Sequence, residues 1–295
     1  MTATMSFADR FWTAPDGLSL HARDYAAAAG PARAPVICIH GLTRNARDFE
    51  ALAPRLAAKG RRVLAVDVRG RGQSSWDPDP SRYVPPVYAG DILALMDALA
   101  IARAVFIGTS MGGLITLVVA AMRPTAIAAA VLNDVGPELA PEGLARIGGY
   151  VGGGAPIADW EGAAAYAKRL NEVAFPAYGS ADWMAFARRL FSDREGVPVL
   201  DYDPGISAAF KKTELKPGEE PPPPDLWPLF DTLSKRPLLT IRGETSDILS
   251  PAIAEHMRLA APDMAYAEVS AIGHAPMLDE PQALAAIDAL LATAP

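Results

Sequence analysis

The chain has 295 residues, of which 51% are hydrophobic, so it can bury one large α/β core or a core with a smaller second domain. Its formal net charge is −7. No basic stripe could gain from counterion release, so we expect no nucleic-acid partner.

Short apolar runs alternate with helical stretches through the first 135 residues. The run 18–25 alternates apolar and polar residues, which predicts a strand with one solvated face. The run 127–132 could equally be helical by periodicity alone. The order of strand and helix predicts a doubly wound, mostly parallel sheet in an α/β fold. The buried strands are predicted at 36–39, 63–66, 105–107 and 127–132, and the helices at 47–59, 91–100 and 111–122.

This rhythm stops after Asp134 and resumes about a hundred residues later. The segment between is rich in glycine and aromatic residues and contains two predicted helices, 159–173 and 180–191, with Asp159 and Ser180 as N-caps. The proline-rich stretch 216–224 predicts a stiff surface linker. Strands at 237–241 and 264–269 and helices at 250–259 and 280–292 then follow. We divide the chain into a first core part at 1–134, an inserted, mainly helical cap at 135–231, and a second core part at 232–295.

The first residues, the length of the apolar runs and the cysteine content indicate where in the cell the protein is expected. The first twelve residues have no basic region followed by an apolar stretch, and the longest apolar run, 114–122, is too short to cross a bilayer. The single cysteine, Cys38, excludes an intrachain disulfide and a cysteine-built metal site, and its apolar neighbours favour a core position. We therefore expect a cytoplasmic protein that does not associate with membranes.

The pattern G-x-S-x-G at 108–112 lies between a predicted buried strand and an apolar helix. A sharp strand-to-helix turn raises its central side chain above the sheet edge, and the residues two positions away must be small. This context predicts Ser110 as a nucleophile.

A serine hydroxyl needs a base, and four histidines are available. His21 lies within a strand, His256 is predicted to face solvent on a helix, and His40 ends a strand and suits a loop lining the site. His274 follows the last predicted strand. The carboxyl ends of parallel strands share one edge with Ser110, so His274 is the predicted base.

Chain order places the acid between the serine and the histidine. Asp247 follows the predicted strand 237–241 through a turn and is our choice, with Asp134, which follows 127–132, as the alternative. Asp67 precedes the serine and is interpreted as organising a turn. An oxyanion needs donors, which we assign by position to the backbone N–H groups of Leu42 and Met111.

Five motifs in this order and spacing resemble the α/β-hydrolase superfamily over about two thirds of the chain. They are HG at 40–41, DVRGRGQS at 67–74, GTSMGG at 108–113, SD at 246–247 and GHAPMLDEP at 273–281. The chain looks most like the serine-nucleophile carboxylesterase and lactonase-like branch, which carries a helical cap. The resemblance implies a Ser110–Asp247–His274 triad, acyl transfer to water through an acyl-enzyme, and no cofactor or metal. Haloalkane dehalogenases and epoxide hydrolases resemble the chain too, but they have aspartate where Ser110 stands.

The resulting prediction is a hydrolase of esters or lactones with small to medium acyl groups. A C–C bond hydrolase or perhydrolase with the same triad, or a ligand sensor with slow turnover, is the alternative. The predicted partner is a small-molecule ester or lactone, and the oligomeric state stays open between monomer and homodimer. Aromatic density in the insertion favours an apolar pocket wall. The candidate pocket residues are His40, Tyr150, Trp160, Trp183, Met184 and Phe186.

Overall fold

The computed structural model describes residues 6–153, 156–210 and 224–295; for residues 209 and 210 it describes the backbone only. Most of the predicted proline-rich linker, 216–223, and Gly154 of the glycine cluster lie outside these residues.

Ten strands and nine α-helices make up the regular structure of the described ranges. The strands are β1 (Ala8–Thr13), β2 (Ser19–Tyr25), β3 (Val36–Ile39), β4 (Val63–Asp67), β5 (Ala104–Thr109), β6 (Ile127–Asn133), β7 (Phe191–Arg194), β8 (Val197–Leu200), β9 (Leu238–Gly243) and β10 (Ala265–Val269). The helices are α1 (Leu52–Ala58), α2 (Pro85–Ala98), α3 (Met111–Met122), α4 (Pro141–Gly148), α5 (Trp160–Asn171), α6 (Ser180–Leu190), α7 (Trp227–Ser234), α8 (Pro251–Ala260) and α9 (Pro281–Thr293).

The core contains an eight-stranded sheet with the strand order β1-β2-β4-β3-β5-β6-β9-β10. The pairs β1–β2 and β2–β4 are antiparallel, and every pair from β4 to β10 is parallel. The predicted mostly parallel α/β sheet is therefore confirmed. Because β5, β6, β9 and β10 are consecutive and parallel, the segments that follow them emerge at one edge.

Helices cover both faces of this sheet. Buried residues of α2, α3, α7 and α8 pack on one face, and those of α1 and α9 pack on the other. Cys38 is fully buried in the second of these layers, and burial raises the pKa of its thiol. It is a core residue, as its apolar neighbours predict.

Several predicted boundaries need correction. The strand β2 has no solvated face along most of its length, because Leu20 and Ala22 are buried in the core layer on one face and Tyr25 is buried in the layer on the other. The predicted helix 47–59 is a 3₁₀ turn at Ala46–Phe49 followed by α1. The helix predicted at 91–100 begins earlier, at Pro85, since proline is favourable at a first helical position. Ser180 opens α6 but does not cap it, whereas Asp159 does cap α5 by accepting from the Gly162 N–H at 2.8 Å.

Between β6 and α7 the chain forms a separate small apolar cluster from α5, α6 and the β7–β8 hairpin. The division into core and cap stays a prediction. Its second boundary, at 231/232, falls inside α7, which packs against α3 of the sheet layer. No helix within the described ranges is long and apolar enough to span a bilayer.

Candidate active site

Ser110 stands at the turn between β5 and α3, with φ of 51° and ψ of −115°. A serine in this left-handed region costs on the order of 1–3 kcal/mol, so the surrounding structure must hold it there. Its N–H donates to the Asn133 carbonyl at 2.9 Å. A Cβ on Gly108 would collide with the Gly112 backbone, and one on Gly112 would collide with the Ile39 carbonyl. The two glycines of the motif are therefore required by this close approach of strand and helix.

His274 joins Ser110 to a carboxylate. Its Nε2 lies 2.8 Å from Ser110 Oγ, and its Nδ1 lies 2.8 Å from an Asp134 carboxylate oxygen. An ionised carboxylate only accepts hydrogen bonds, so Nδ1 carries the proton and Nε2 is free to accept one from the serine. The side chain of Asp134 is fully buried, and its other oxygen accepts from the Gly243 N–H at 2.9 Å. This arrangement is that of a nucleophile, a base and an orienting acid.

The choice of Asp247 as the acid is corrected by these contacts, which place the alternative, Asp134, against the histidine. Asp247 lies in a turn four residues beyond the end of β9 and forms a bidentate pair with Arg146 of α4, at 2.5 and 2.9 Å. Burial alone would raise its pKa, but the Arg146 guanidinium outweighs burial and holds the pKa of the Asp247 carboxyl below its ordinary value. The carboxylate that was expected to orient His274 is thus paired with a guanidinium from the inserted segment.

The other three histidines do not contact Ser110. His21 is buried in β2, where it contacts Asp67 at 2.7 Å and Asp9 at 2.9 Å. Asp67 also accepts from the Ala46 and Gln73 N–H groups, which fits its predicted turn-organising position. His256 is exposed on α8, as predicted.

His40 is fully buried and does not line the cavity, contrary to its selection as a pocket candidate. Its Nδ1 donates to the Gly41 carbonyl at 2.7 Å, and its Nε2 accepts from the Val68 N–H at 3.1 Å. Both ring nitrogens are therefore used within the protein. Burial lowers the pKa of His40 to about 4.

This depressed pKa predicts a loss of stability in mild acid. The unfolded chain takes up a proton at His40 below pH 6.5, whereas the folded protein does so only near pH 4. The contribution is thus complete above pH 6.5 and falls by about 3 kcal/mol as the pH drops to 4. Urea unfolding at pH 7, 5.5 and 4.5 should show a steeper loss for the wild type than for His40→Gln. Equal slopes for the two proteins would contradict this account.

The turn at residues 40–42 lies beside the nucleophile. A Cβ on Gly41 would stand 3.7 Å from the Ser110 Cβ, and Leu42 lines the same cavity as Ser110. Met111 is the first residue of α3, where the backbone N–H groups have no hydrogen-bond acceptor within the helix. The placement suits Leu42 and Met111 as oxyanion donors, and that role stays a prediction.

Arg71, which sequence reasoning did not single out, connects these two residues. Its Nε donates to the Leu42 carbonyl at 2.9 Å, and its guanidinium contacts the Met111 sulfur at 3.6 Å. It also donates to the Arg69 carbonyl at 2.8 Å and the Tyr88 hydroxyl at 3.0 Å. The side chain is fully buried, and these four partners are all neutral. Its only signal in the sequence is its place within the DVRGRGQS motif.

We expect Arg71→Met to lower kcat by about 10- to 100-fold, somewhat less than the loss of a direct oxyanion donor. The guanidinium acts through the Leu42 and Met111 backbone, so KM should change by much less than kcat. Arg71→Lys, which keeps the charge but not the fork of donors, should recover only part of the rate. A rise in KM with kcat intact would show that Arg71 does not position the oxyanion donors.

A cavity of about 90 Å³ opens onto Ser110 and His274. Of the aromatic candidates, Tyr150 and Phe186 line it. Other lining residues that pattern reasoning missed come from the inserted segment and the 41–48 turn: Arg44, Tyr166, Asn171, Phe175 and Tyr202.

Three of the pocket candidates do not line the cavity. Trp183 is buried and packs edge-on against Phe175. The Arg188 guanidinium covers the Trp160 ring at 3.5 Å from its centroid. Met184 is half-buried and lies outside the lining. Helical spacing alone does not settle which aromatic residues turn toward the sheet.

Comparison with known proteins agrees with the fold. A family model described as the alpha/beta hydrolase fold matches residues 34–151. A 3-hydroxybutyrate-oligomer hydrolase from Cupriavidus necator is 33% identical over 274 residues, which is 90% of this chain and 91% of that protein. A 2-(acetamidomethylene)succinate hydrolase from Mesorhizobium japonicum is 28% identical and covers 81% of each chain.

Among solved structures, an alpha/beta hydrolase from Novosphingobium aromaticivorans is 46% identical, with a TM-score of 0.88 over 97% of this chain and 98% of that one. The similarity therefore extends over the sheet and the inserted segment alike. This chain belongs to the α/β-hydrolase family and is a hydrolase.

Proposed function

We propose that this hydrolase cleaves carboxylic esters by acyl transfer through Ser110. The observation that carries the proposal is the continuous hydrogen-bonded row from Ser110 Oγ through His274 to Asp134, with 2.8 Å at each step. The type of nucleophile favours this reaction class, because a serine oxygen can form an acyl-enzyme with an ester. An aspartate nucleophile of the dehalogenase kind would not do so.

The reaction proceeds in two halves. His274 Nε2 takes the proton from Ser110 Oγ as that oxygen attacks the ester carbonyl, and the buried Asp134 stabilises the imidazolium that results. The backbone N–H groups of Leu42 and Met111 receive the carbonyl oxygen as it becomes negative. His274 then returns its proton to the leaving alkoxide, and an alcohol departs. In the second half, His274 deprotonates a water molecule as it attacks the acyl carbonyl, and then returns that proton to Ser110 Oγ as the bond between Oγ and the acyl group breaks and the acid leaves.

The acyl group is small to medium in size. The cavity beside Ser110 has a volume of about 90 Å³ and an apolar wall that includes Phe175 and Phe186. The relative named as a 3-hydroxybutyrate-oligomer hydrolase, which matches nearly the whole chain, makes short hydroxy-acid esters the first substrates to examine. Lactone or C–C bond cleavage, perhydrolysis and slow-turnover sensing remain the alternatives.

A chain-length series of p-nitrophenyl esters from acetate to decanoate tests the proposal. We expect steady turnover of the short esters and a decline once the acyl chain exceeds the cavity. A burst of one nitrophenolate per chain with no steady phase would identify the sensor alternative. A folded wild type that turns over no ester and no lactone would refute the proposal.

A further inference from the structure

Tyr202 is one of the residues that line the cavity, and its buried hydroxyl has no hydrogen-bond partner among the described residues. The residue follows the β7–β8 hairpin, is 98% buried and lines the space beside Ser110. Its hydroxyl is fully buried and makes no hydrogen bond to any residue that the structure describes. The Tyr166 hydroxyl and the Gly152 backbone are close by but do not have hydrogen-bonding geometry.

Two other buried tyrosines, Tyr83 and Tyr88, have hydroxyl groups with hydrogen-bond partners. The Tyr83 hydroxyl donates to Asp203 at 2.5 Å and accepts from the Asp77 N–H at 2.7 Å. The Tyr88 hydroxyl accepts from Arg71 at 3.0 Å. A buried hydroxyl without a partner lowers the stability of the folded state, and phenylalanine would fill the same space without that penalty. The hydroxyl of Tyr202 therefore needs a reason other than folding.

The position of Tyr202 is set by the core of the protein. Its backbone forms a bridge with Arg71, the residue that contacts Leu42 and Met111. On either side, the Gly72 N–H donates to the Asp201 carbonyl at 3.0 Å and the Asp203 N–H donates to the Gly70 carbonyl at 2.7 Å. Burial raises the pKa of the Tyr202 phenol, so it keeps its proton at working pH. The hydroxyl is thus held ready as both donor and acceptor.

We propose that the Tyr202 hydroxyl binds an oxygen atom carried on the acyl chain of the substrate, and so selects hydroxyacyl esters over esters of unsubstituted acids. This inference rests on the proposed ester hydrolysis. The ligand group is an alcohol or the next ester carbonyl of a short hydroxy-acid oligomer, because either can form a hydrogen bond with a phenol. An unsubstituted acyl chain leaves the hydroxyl unpaired, as it is in the free protein.

The test compares p-nitrophenyl 3-hydroxybutyrate with p-nitrophenyl butyrate, which differ by one hydroxyl. We expect the wild type to favour the hydroxy ester in kcat/KM by about tenfold or more, since a site built for a substrate hydroxyl discriminates against the analogue without it. In Tyr202→Phe this ratio should fall toward one. The melting temperature of Tyr202→Phe should stay level or rise, because the hydroxyl that is removed has no hydrogen-bond partner in the part of the chain that the structure describes.

Tyr83→Phe is the matched control, since it removes a paired hydroxyl that lies outside the cavity lining. It should lower the melting temperature and leave the ratio at the wild-type value. A wild type that hydrolyses both esters equally well would overturn the role of Tyr202 without affecting ester hydrolysis. So would a Tyr202→Phe variant that keeps the wild-type ratio. Failure of the wild type on both esters would refute the proposed function itself.

Discussion

Replacing Ser110 with alanine should lower kcat for ester hydrolysis by about 10⁶-fold, because a chain without the nucleophile keeps only binding and oxyanion contacts. The 2.8 Å contact between Ser110 Oγ and His274 Nε2 is the path by which the serine proton leaves. Alanine removes that oxygen and leaves the imidazole with nothing to deprotonate. Steady-state kinetics on a short p-nitrophenyl ester measure the loss directly.

Covalent labelling separates the loss of a nucleophile from the loss of the fold. A fluorophosphonate should attach once per wild-type chain, at the peptide containing Ser110, and should not label Ser110→Ala. The variant should unfold cooperatively, since the Ser110 N–H still donates to the Asn133 carbonyl. Activity of Ser110→Ala within about tenfold of wild type, far above the loss expected for a true nucleophile, would mean that another group attacks the ester.

The strongly patterned elements could be predicted from the sequence to within a few residues. The bounds of β3 and α3 match the predicted segments, because a short β-branched run and a glycine-initiated apolar helix have few alternatives. Strand β1 was missed since most of its side chains are exposed and it has no apolar run. Helix α4 was missed because its start lies in a glycine- and proline-rich stretch and it spans only eight residues.

The site was predictable where its position depends on local backbone. Ser110 and His274 each follow a strand at the same sheet edge, and topology alone brings them together. The residues of the pocket wall could not be predicted in this way, because the orientation of Trp183 and Phe186 depends on how α6 packs. Two aspartates meet the same chain-order rule. They are distinguished by tertiary contacts, His274 with Asp134 and Arg146 with Asp247, which no local pattern reports.

Asp134→Asn should lower kcat by about 10⁴-fold, while Asp247→Asn should stay within about tenfold of the wild-type rate. Asp134 accepts the His274 Nδ1–H, so an amide there can turn its NH₂ toward the ring and favour the tautomer whose Nε2 already holds a proton. That tautomer cannot take the proton of Ser110.

Asp247→Asn instead weakens a pair with Arg146 in which both side chains are about one-third exposed. Such a pair is screened by solvent and contributes little, so the expected result is a small change in melting temperature with the triad intact. The two substitutions are isosteric and remove one charge each, so kcat measured side by side isolates the contact with His274 from the general loss of an acidic group. A large loss in Asp247→Asn with a small one in Asp134→Asn would mean that the turn after β9 moves toward the histidine when substrate binds, and that Arg146 releases it.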